Sequence, residues 1–322
     1  MIINKSDKKS IRSAYGKTLV KLGRENKNIV VMDSDLACST QTGIFAKEYP
    51  DRFFDSGIAE QDMIATAAGL ASVGKIPFVS TFAVFATGRT YDQIRNSVCY
   101  PHFNVKIVAT HGGITVGEDG ASHQALEDIA LMRNIPNMKV IVPADCKECE
   151  QAVEYAAKTP GPFYIRLPRT NVCDIFGDDY QFEFNKAQIL TQGSDATVIT
   201  NGETLAEVLE AAEELDKQGY SVQVINIPVV KPIDVDTIIS EAKKTNFVIT
   251  VENHSIIGGL GSAVCETLAE NYPVRVHRVG INDTFGQSGT TSELLEFYGL
   301  NSARLTETLK EQIDKQRLIN NK

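Results

Sequence analysis

The feature that most restricts the fold of this chain is a regular alternation of two patterns. Short β-branched or aromatic runs, NIVVM (28–32), PFVS (77–80), VKIVAT (105–110), KVIVPAD (139–145) and PFYIRLP (162–168), are separated by longer stretches with apolar residues three and four positions apart. Those stretches are IRSAYGKTLVKLGREN, EQDMIATAAGLASVG, RTYDQIRNSVCY and CKECEQAVEYAAKT. Strand and helix signals that alternate at this spacing build a mostly parallel sheet with helices on both faces. The expected fold is therefore α/β, in two domains. Residues 1–172 form the first, an acidic and turn-rich stretch over 173–190 reads as a linker, and 191–322 form a smaller α/β domain. There DATVITNG, TLAEVLEAAEELDKQG, SVQVINIP and TNFVITVE repeat the alternation. A chain of 322 residues is long enough for each domain to bury its own core.

Charge narrows the partners. A formal net charge of -9 argues against nucleic acid and against an anionic membrane, both of which select basic surface. A small anionic substrate would need a local basic pocket. The opening MIINKSDKKSIRSAYG lacks the apolar core of a signal peptide, and no run of 18 apolar residues occurs, so a cytoplasmic protein is expected. The six cysteines, at 38, 99, 146, 149, 173 and 265, follow no secreted-scaffold spacing and are expected as free thiols. Cys146 and Cys149 make a C-x-x-C, but no second half of a zinc site accompanies it. DCKECEQAVEYAAK reads as a helix capped by Asp145.

Ligands of open parallel sheets bind beyond the carboxyl ends of the strands. Polar residues gather at those ends: Asp33, Ser34 and Asp35; Ser80 and Thr81; His111; Asp145; Arg166 and Arg169. One shared crevice is expected. Glu60 stands out beside it, between FFDSGIA and an alanine-rich run in which Ile58, Ala59, Met63, Ile64, Ala67, Ala68 and Leu70 have the spacing of a buried helix. Desolvation favours the neutral form of such a carboxyl, which can then donate a proton, while the bland alternative is a structural ion pair with Lys or Arg.

In THGGITVGEDGASHQALED (110–128), His111 and His123 bracket Glu118 and Asp119 among four glycines. The loop looks too polar for packing and suits acid/base or substrate hydrogen-bonding work; the His spacing matches no metal-ligand pattern. Phe82 and Phe85 would be two core side chains on one helix face or a stacking surface for a flat ring. GGLGSAV (258–264) lies where phosphates bind helix N-termini, yet lacks a full G-x-G-x-x-G and reads first as a tight turn.

Taken together, DSGIAEQDMIATAAGLASVGKIPFVSTFAVF, THGGITVGEDGASHQALEDIALMRNIPNMKVIVPAD and GPFYIRLPR resemble the pyrimidine-binding domain of transketolases, and VENHSIIGGLGSAV is similar to their carboxy-terminal domain. The resemblance covers essentially the whole chain. It implies thiamine diphosphate as cofactor, with Glu60 on the aminopyrimidine ring and Phe82, Phe85 and Ile58 around it. It implies His111 and His123 as catalytic groups at sugar oxygens, Asp119 on a donor hydroxyl, and Arg12, Ser39 and Arg169 at a sugar phosphate. Gly88 stands where many transketolases have a tyrosine. The domain that holds diphosphate and Mg2+ in the family is missing, so no metal is assigned to this chain. The implied protein is the second subunit of a split transketolase, an α2β2 assembly with an amino-terminal subunit, moving a two-carbon ketol unit between sugar phosphates. A 2-oxo acid dehydrogenase β subunit, a deoxyxylulose-phosphate-type synthase and a non-catalytic scaffold subunit remain as alternatives.

Overall fold

The computed structural model describes residues 8–320; the first seven residues, read above for a leader, lie outside them. A seven-stranded sheet carries the first half. Its order is Val229–Lys231, Lys139–Ile141, Phe163–Arg166, Lys106–Ala109, Ile76–Ser80, Ile29–Asp33, Phe53–Asp55, parallel throughout except for the first strand. Helices Ile11–Glu25 and Cys146–Lys158 cover one face, where Tyr15, Leu19, Cys149 and Val153 pack on Val31, Phe78, Val108 and Ile165. Helices Glu60–Ser72 and Asp128–Asn134 cover the other, with Met63, Ile64 and Ile129 against Met32, Val79 and Ile107. Buried on both sides, the central strands carry continuous apolar runs, as parallel sheets do.

The second half is a five-stranded sheet of order Arg275–Ile281, Phe247–Ser255, Ala196–Thr200, Val222–Asn226, Gln188–Thr191, with only the last strand antiparallel. Helices Thr204–Lys217 and Ser302–Asn320 pack on one face, Val235–Thr245 and Leu260–Asn271 on the other. No helix among the described residues is long and apolar enough to cross a membrane.

Three local features differ from the sequence reading. Val229–Lys231, which follows a strand of the second sheet, crosses back and pairs antiparallel with Lys139–Ile141 at the edge of the first. The stretch read as a linker is packed: Val172–Cys173 pairs with Lys8–Lys9, Ile175 is buried in the second core, and Gln188–Thr191 is a strand. The glycine loop also packs. Ile114–Asp119 makes two short 3-10 turns across a kink at Gly117 (φ 84°), with Ile114, Thr115 and Val116 buried, and Ile114 joins the core of the second half. The loop's apolar residues Ile114, Val116, Ala125 and Leu126, outnumbered in sequence, are buried.

Candidate functional site

Glu60 is placed by the turn before it. Leaving strand Phe53–Asp55, the Ser56 N–H donates to the Asp33 carbonyl at 2.9 Å, and the Asp55 carboxylate accepts the N–H groups of Gly57 (2.8 Å) and Asp35 (3.0 Å). Gly57 takes φ 63°, which turns the chain sharply into the helix. Glu60 is then the first helical residue, 5 % exposed. Its Oε1 accepts from Arg89 Nη1 at 2.8 Å. The structural ion pair held open above is therefore present, and Arg89, a residue the sequence reading passed over, is its cation. Ile58, expected inside the helix packing, is instead 77 % exposed, while Ala59 and Leu70 are half-buried. The buried stripe consists of Glu60, Met63, Ile64, Ala67 and Ala68.

The Arg89 guanidinium carbon also lies 4.1 Å from the centroid of the Phe85 ring, which begins an aromatic wall. Phe82 bridges to Thr110 just beyond two adjacent strand ends, and its ring stacks on Phe85 with centroids 5.8 Å apart and planes 15° from parallel. The His111 ring stacks on Phe82 at 3.7 Å, and His123 meets Phe85 edge-on at 5.3 Å. The two histidines, twelve residues apart in sequence, thus share one surface. His111 has φ 62°, its Nδ1 lies 2.8 Å from Thr110 Oγ1, and burial together with Arg12 and Arg169 pulls its pKa down to about 3. It is neutral at physiological pH, one ring nitrogen engaged by Thr110 and the other available to a ligand. His123 Nδ1 lies 2.9 Å from Ser122 Oγ.

The cationic end is formed by Arg12 and Arg169. Arg12 Nη1 donates to the Ser39 backbone carbonyl at 2.6 Å, so Ser39 contributes its main chain. Arg12 Nε is buried without a hydrogen-bond partner, and burial and the neighbouring Arg169 both lower the Arg12 pKa. Two close guanidiniums, one with an unsatisfied N–H, suit an oxyanion. Arg169 Nη1 donates to the Val116 carbonyl (2.5 Å) and pairs with Glu118 (3.0 Å). Asp119 is exposed at the end of the same turn. At Gly88 an added Cβ would meet nothing within 4 Å among the described residues.

Other strand-end residues serve the fold, which corrects the single crevice expected above. Asp33 is buried and accepts from Leu36 N–H, Thr40 and Thr42. Asp145 caps helix Cys146–Lys158 and accepts from the N–H groups of Ile175 and Phe176. Arg166 is buried against Asp128 at 2.9 Å and donates to the Asn253 carbonyl, tying the two halves together. Strand-end position says where a residue lies, not which way its side chain points. The GGLG segment is also structural. Glu252 Oε2 and Oε1 accept the N–H groups of Leu260 and Gly261, both at 2.8 Å, filling the anion position at that helix start with the chain's own carboxylate. Cys146 and Cys149 are free thiols whose pKa values burial raises, which makes them poor nucleophiles. Among the described residues no group of three or more His, Cys, Asp or Glu could hold a metal ion.

The transketolase pyrimidine-binding domain family matches residues 7–174, and the transketolase C-terminal domain family matches residues 185–305. The chain belongs to the transketolase family. Its relatives divide by length. A Methanocaldococcus jannaschii protein named as a transketolase C-terminal section is 50% identical over 96% of this chain and 98% of its own length. A 6-deoxy-6-sulfo-D-fructose transketolase subunit of Clostridium is 40% identical over 95% of each chain. The mouse transketolase-like protein 2 is 41% identical over 94% of this chain, which spans only 49% of that protein. Among solved structures, a split-gene transketolase described as an inactive β4 tetramer superposes with a TM-score of 0.87 at 48% identity, covering 96% of this chain and 99% of that one. The transketolase of Campylobacter jejuni shares the fold at a TM-score of 0.81 and 24% identity, with 95% of this chain and 47% of that one covered. The chain thus corresponds to a C-terminal section of the longer transketolases, with both of its α/β domains.

Proposed function

We propose that this chain is the second subunit of a heteromeric, thiamine-diphosphate-dependent transketolase that moves a two-carbon ketol unit from a ketose phosphate to an aldose phosphate. The observation that carries the reading is the buried Glu60 carboxyl, linked through the Arg89 guanidinium to a stacked Phe82–Phe85 pair, with His111 and His123 on the same wall. Near-parallel aromatic faces beside a single carboxyl fit a flat heterocycle that carries ring nitrogens. Thiamine diphosphate, when bound, supplies the electron sink for carbon–carbon cleavage. Glu60 would hydrogen-bond its pyrimidine ring, with Phe82, Phe85 and Ile58 around it.

The rest of the site is assigned to the sugar. Neutral His111 and its neighbour His123 hold and move protons at the carbonyl and hydroxyl oxygens. Asp119 takes a donor hydroxyl, and Arg12 and Arg169 hold the anionic end, Arg12 being aimed by the Ser39 carbonyl. Relatives named as transketolase subunits for 6-deoxy-6-sulfo-D-fructose and, in Phocaeicola vulgatus, for apulose-4-phosphate support both a divided enzyme and an anionic sugar. An amino-terminal partner in an α2β2 assembly would hold the diphosphate and Mg2+, and the cytoplasm is the proposed location. Exposure of Ile58 and half-exposure of Arg89 at the rim of the site support a surface that another chain closes.

Reconstitution tests this. With the amino-terminal subunit, thiamine diphosphate and Mg2+, ketol transfer from a ketose phosphate is expected, and the chain alone should give none. Glu60→Gln should lower kcat of the complex by about 100-fold or more while circular dichroism shows an intact fold. Turnover by the single chain would sink the divided-enzyme reading. An unaffected Glu60→Gln complex would make this a scaffold subunit, and pyruvate decarboxylation without ketose cleavage would assign it to the oxo acid enzymes.

A further inference from the structure

Arg89 occupies two places at once. Its Nη1 donates to Glu60 Oε1 at 2.8 Å, and its guanidinium carbon lies 4.1 Å from the centroid of the Phe85 ring. These are the carboxyl oxygen and an aromatic face that a pyrimidine ring would use under the proposed function, on which this inference rests. A guanidinium is itself planar, carries N–H donors and stacks on aromatic rings, so it satisfies a pocket shaped for an aminopyrimidine.

Local backbone geometry leaves the side chain free to leave. Phe85–Arg89 is a π-helical turn, a wide turn that recurs at functional sites, and it ends at Thr90 with φ -113° and ψ 12°. Gln61 Nε2 donates to the Arg89 carbonyl at 2.8 Å, which pins the main chain. The side chain is 49 % exposed, and the flanking Gly88 puts no side chain in its way. Glu60, by contrast, is buried and has no other polar partner among the described residues.

We propose that Arg89 is an internal placeholder: it fills the ring pocket of the chain without cofactor and must withdraw its guanidinium from Glu60 and Phe85 before the cofactor ring can enter. It is a positioning residue that acts through Glu60. It keeps the buried Glu60 carboxylate paired while its guanidinium occupies the pocket, and the affinity for the ring is lowered by the fraction of time it does so.

The test is the dissociation constant of thiamine diphosphate, titrated by near-ultraviolet circular dichroism, in the complex with the amino-terminal subunit at saturating Mg2+. Arg89→Ala should tighten binding about three- to tenfold, the range expected for loss of a half-exposed competing ion pair. Arg89→Lys, which keeps the charge without the planar fork, should fall between wild type and Ala. In a Glu60→Gln background the gain from Arg89→Ala should shrink to about twofold or less, since the placeholder then has no carboxylate to hold. Unchanged or weaker binding in Arg89→Ala, with the wild-type complex binding normally, overturns the placeholder alone. A wild-type complex that does not bind thiamine diphosphate overturns the proposed function and the placeholder with it.

Discussion

His111 combines three properties that rarely meet in one residue: a positive φ, a stacked position on a phenylalanine, and a pKa drawn down to about 3 by burial and two arginines. The left-handed backbone aims the ring back over Phe82 instead of along the strand. A neutral imidazole held this way can exchange hydrogen bonds with a ligand oxygen without adding a third cation to a site that already has Arg12 and Arg169. The sign of the shift fixes its linkage. Because the folded pKa lies below the ordinary value of 6.5, the contribution to stability is full above that pH and is lost as pH falls toward about 3. The His111 ring nuclei should therefore keep the chemical shifts of the neutral form from pH 8 to 5 in NMR titrations of the isolated chain. A midpoint near 6.5 would show that burial does not hold the ring neutral. Glu60 is engaged differently: its buried carboxyl group is paired with Arg89 of its own chain.

Among elements, helix Leu260–Asn271 shows how a motif can look functional and be spent on structure. Its start has the glycines and free N–H groups that bind phosphate, and the Glu252 carboxylate takes that position. A Cβ at Gly259 would overlap the same carboxylate, so the glycine is required by the cap. Glu252→Ala would leave two buried N–H groups unpaired and should lower unfolding free energy by about 2 to 4 kcal/mol, read from urea denaturation. Glu252→Gln, which keeps one oxygen acceptor, should lose less, and equal losses for both would argue that packing rather than capping is at stake. Glu252 was illegible in the sequence because its partners are eight and nine residues ahead, around a turn. The strand–helix alternation, by contrast, was legible because it is local: each long apolar run became a central strand or the buried face of a helix. What escaped were elements defined by their partners. Phe53–Asp55 is three residues at a half-exposed edge, and Val229–Lys231 is recognisable only through its pairing with residues about ninety positions earlier. The site split the same way. Glu60, Phe82, Phe85, His111 and His123 were legible from composition and resemblance, whereas Arg89 follows the phenylalanines in an unremarkable polar stretch, and only geometry brings it onto Glu60.

At the scale of the whole molecule, the two halves are joined by buried polar contacts as well as by the chain. Glu148, fully buried, accepts from Tyr180 Oη (2.7 Å), the Ala144 N–H (2.7 Å) and, from the second sheet, Asn226 Nδ2 (2.9 Å). Burial pushes its pKa from 4.5 up to about 7. The folded chain thus retains a proton that the unfolded chain releases, so the stability from this group is full below about pH 4.5 and is lost as pH rises through about 7. Glu148→Gln cannot titrate. Between pH 5 and pH 8 the wild type should lose about 1 to 3 kcal/mol relative to this variant in urea unfolding, and parallel pH profiles would contradict the assignment. The crossing strand Val229–Lys231 joins the halves through the backbone as well, by pairing with Lys139–Ile141. Its removal would uncover the backbone of Lys139–Ile141, an unpaired edge of the kind that recruits other chains into non-native sheets. A polypeptide severed between its two domains would therefore yield an adhesive fragment lacking its guard strand, and recombinant work on the first half alone should expect inclusion bodies.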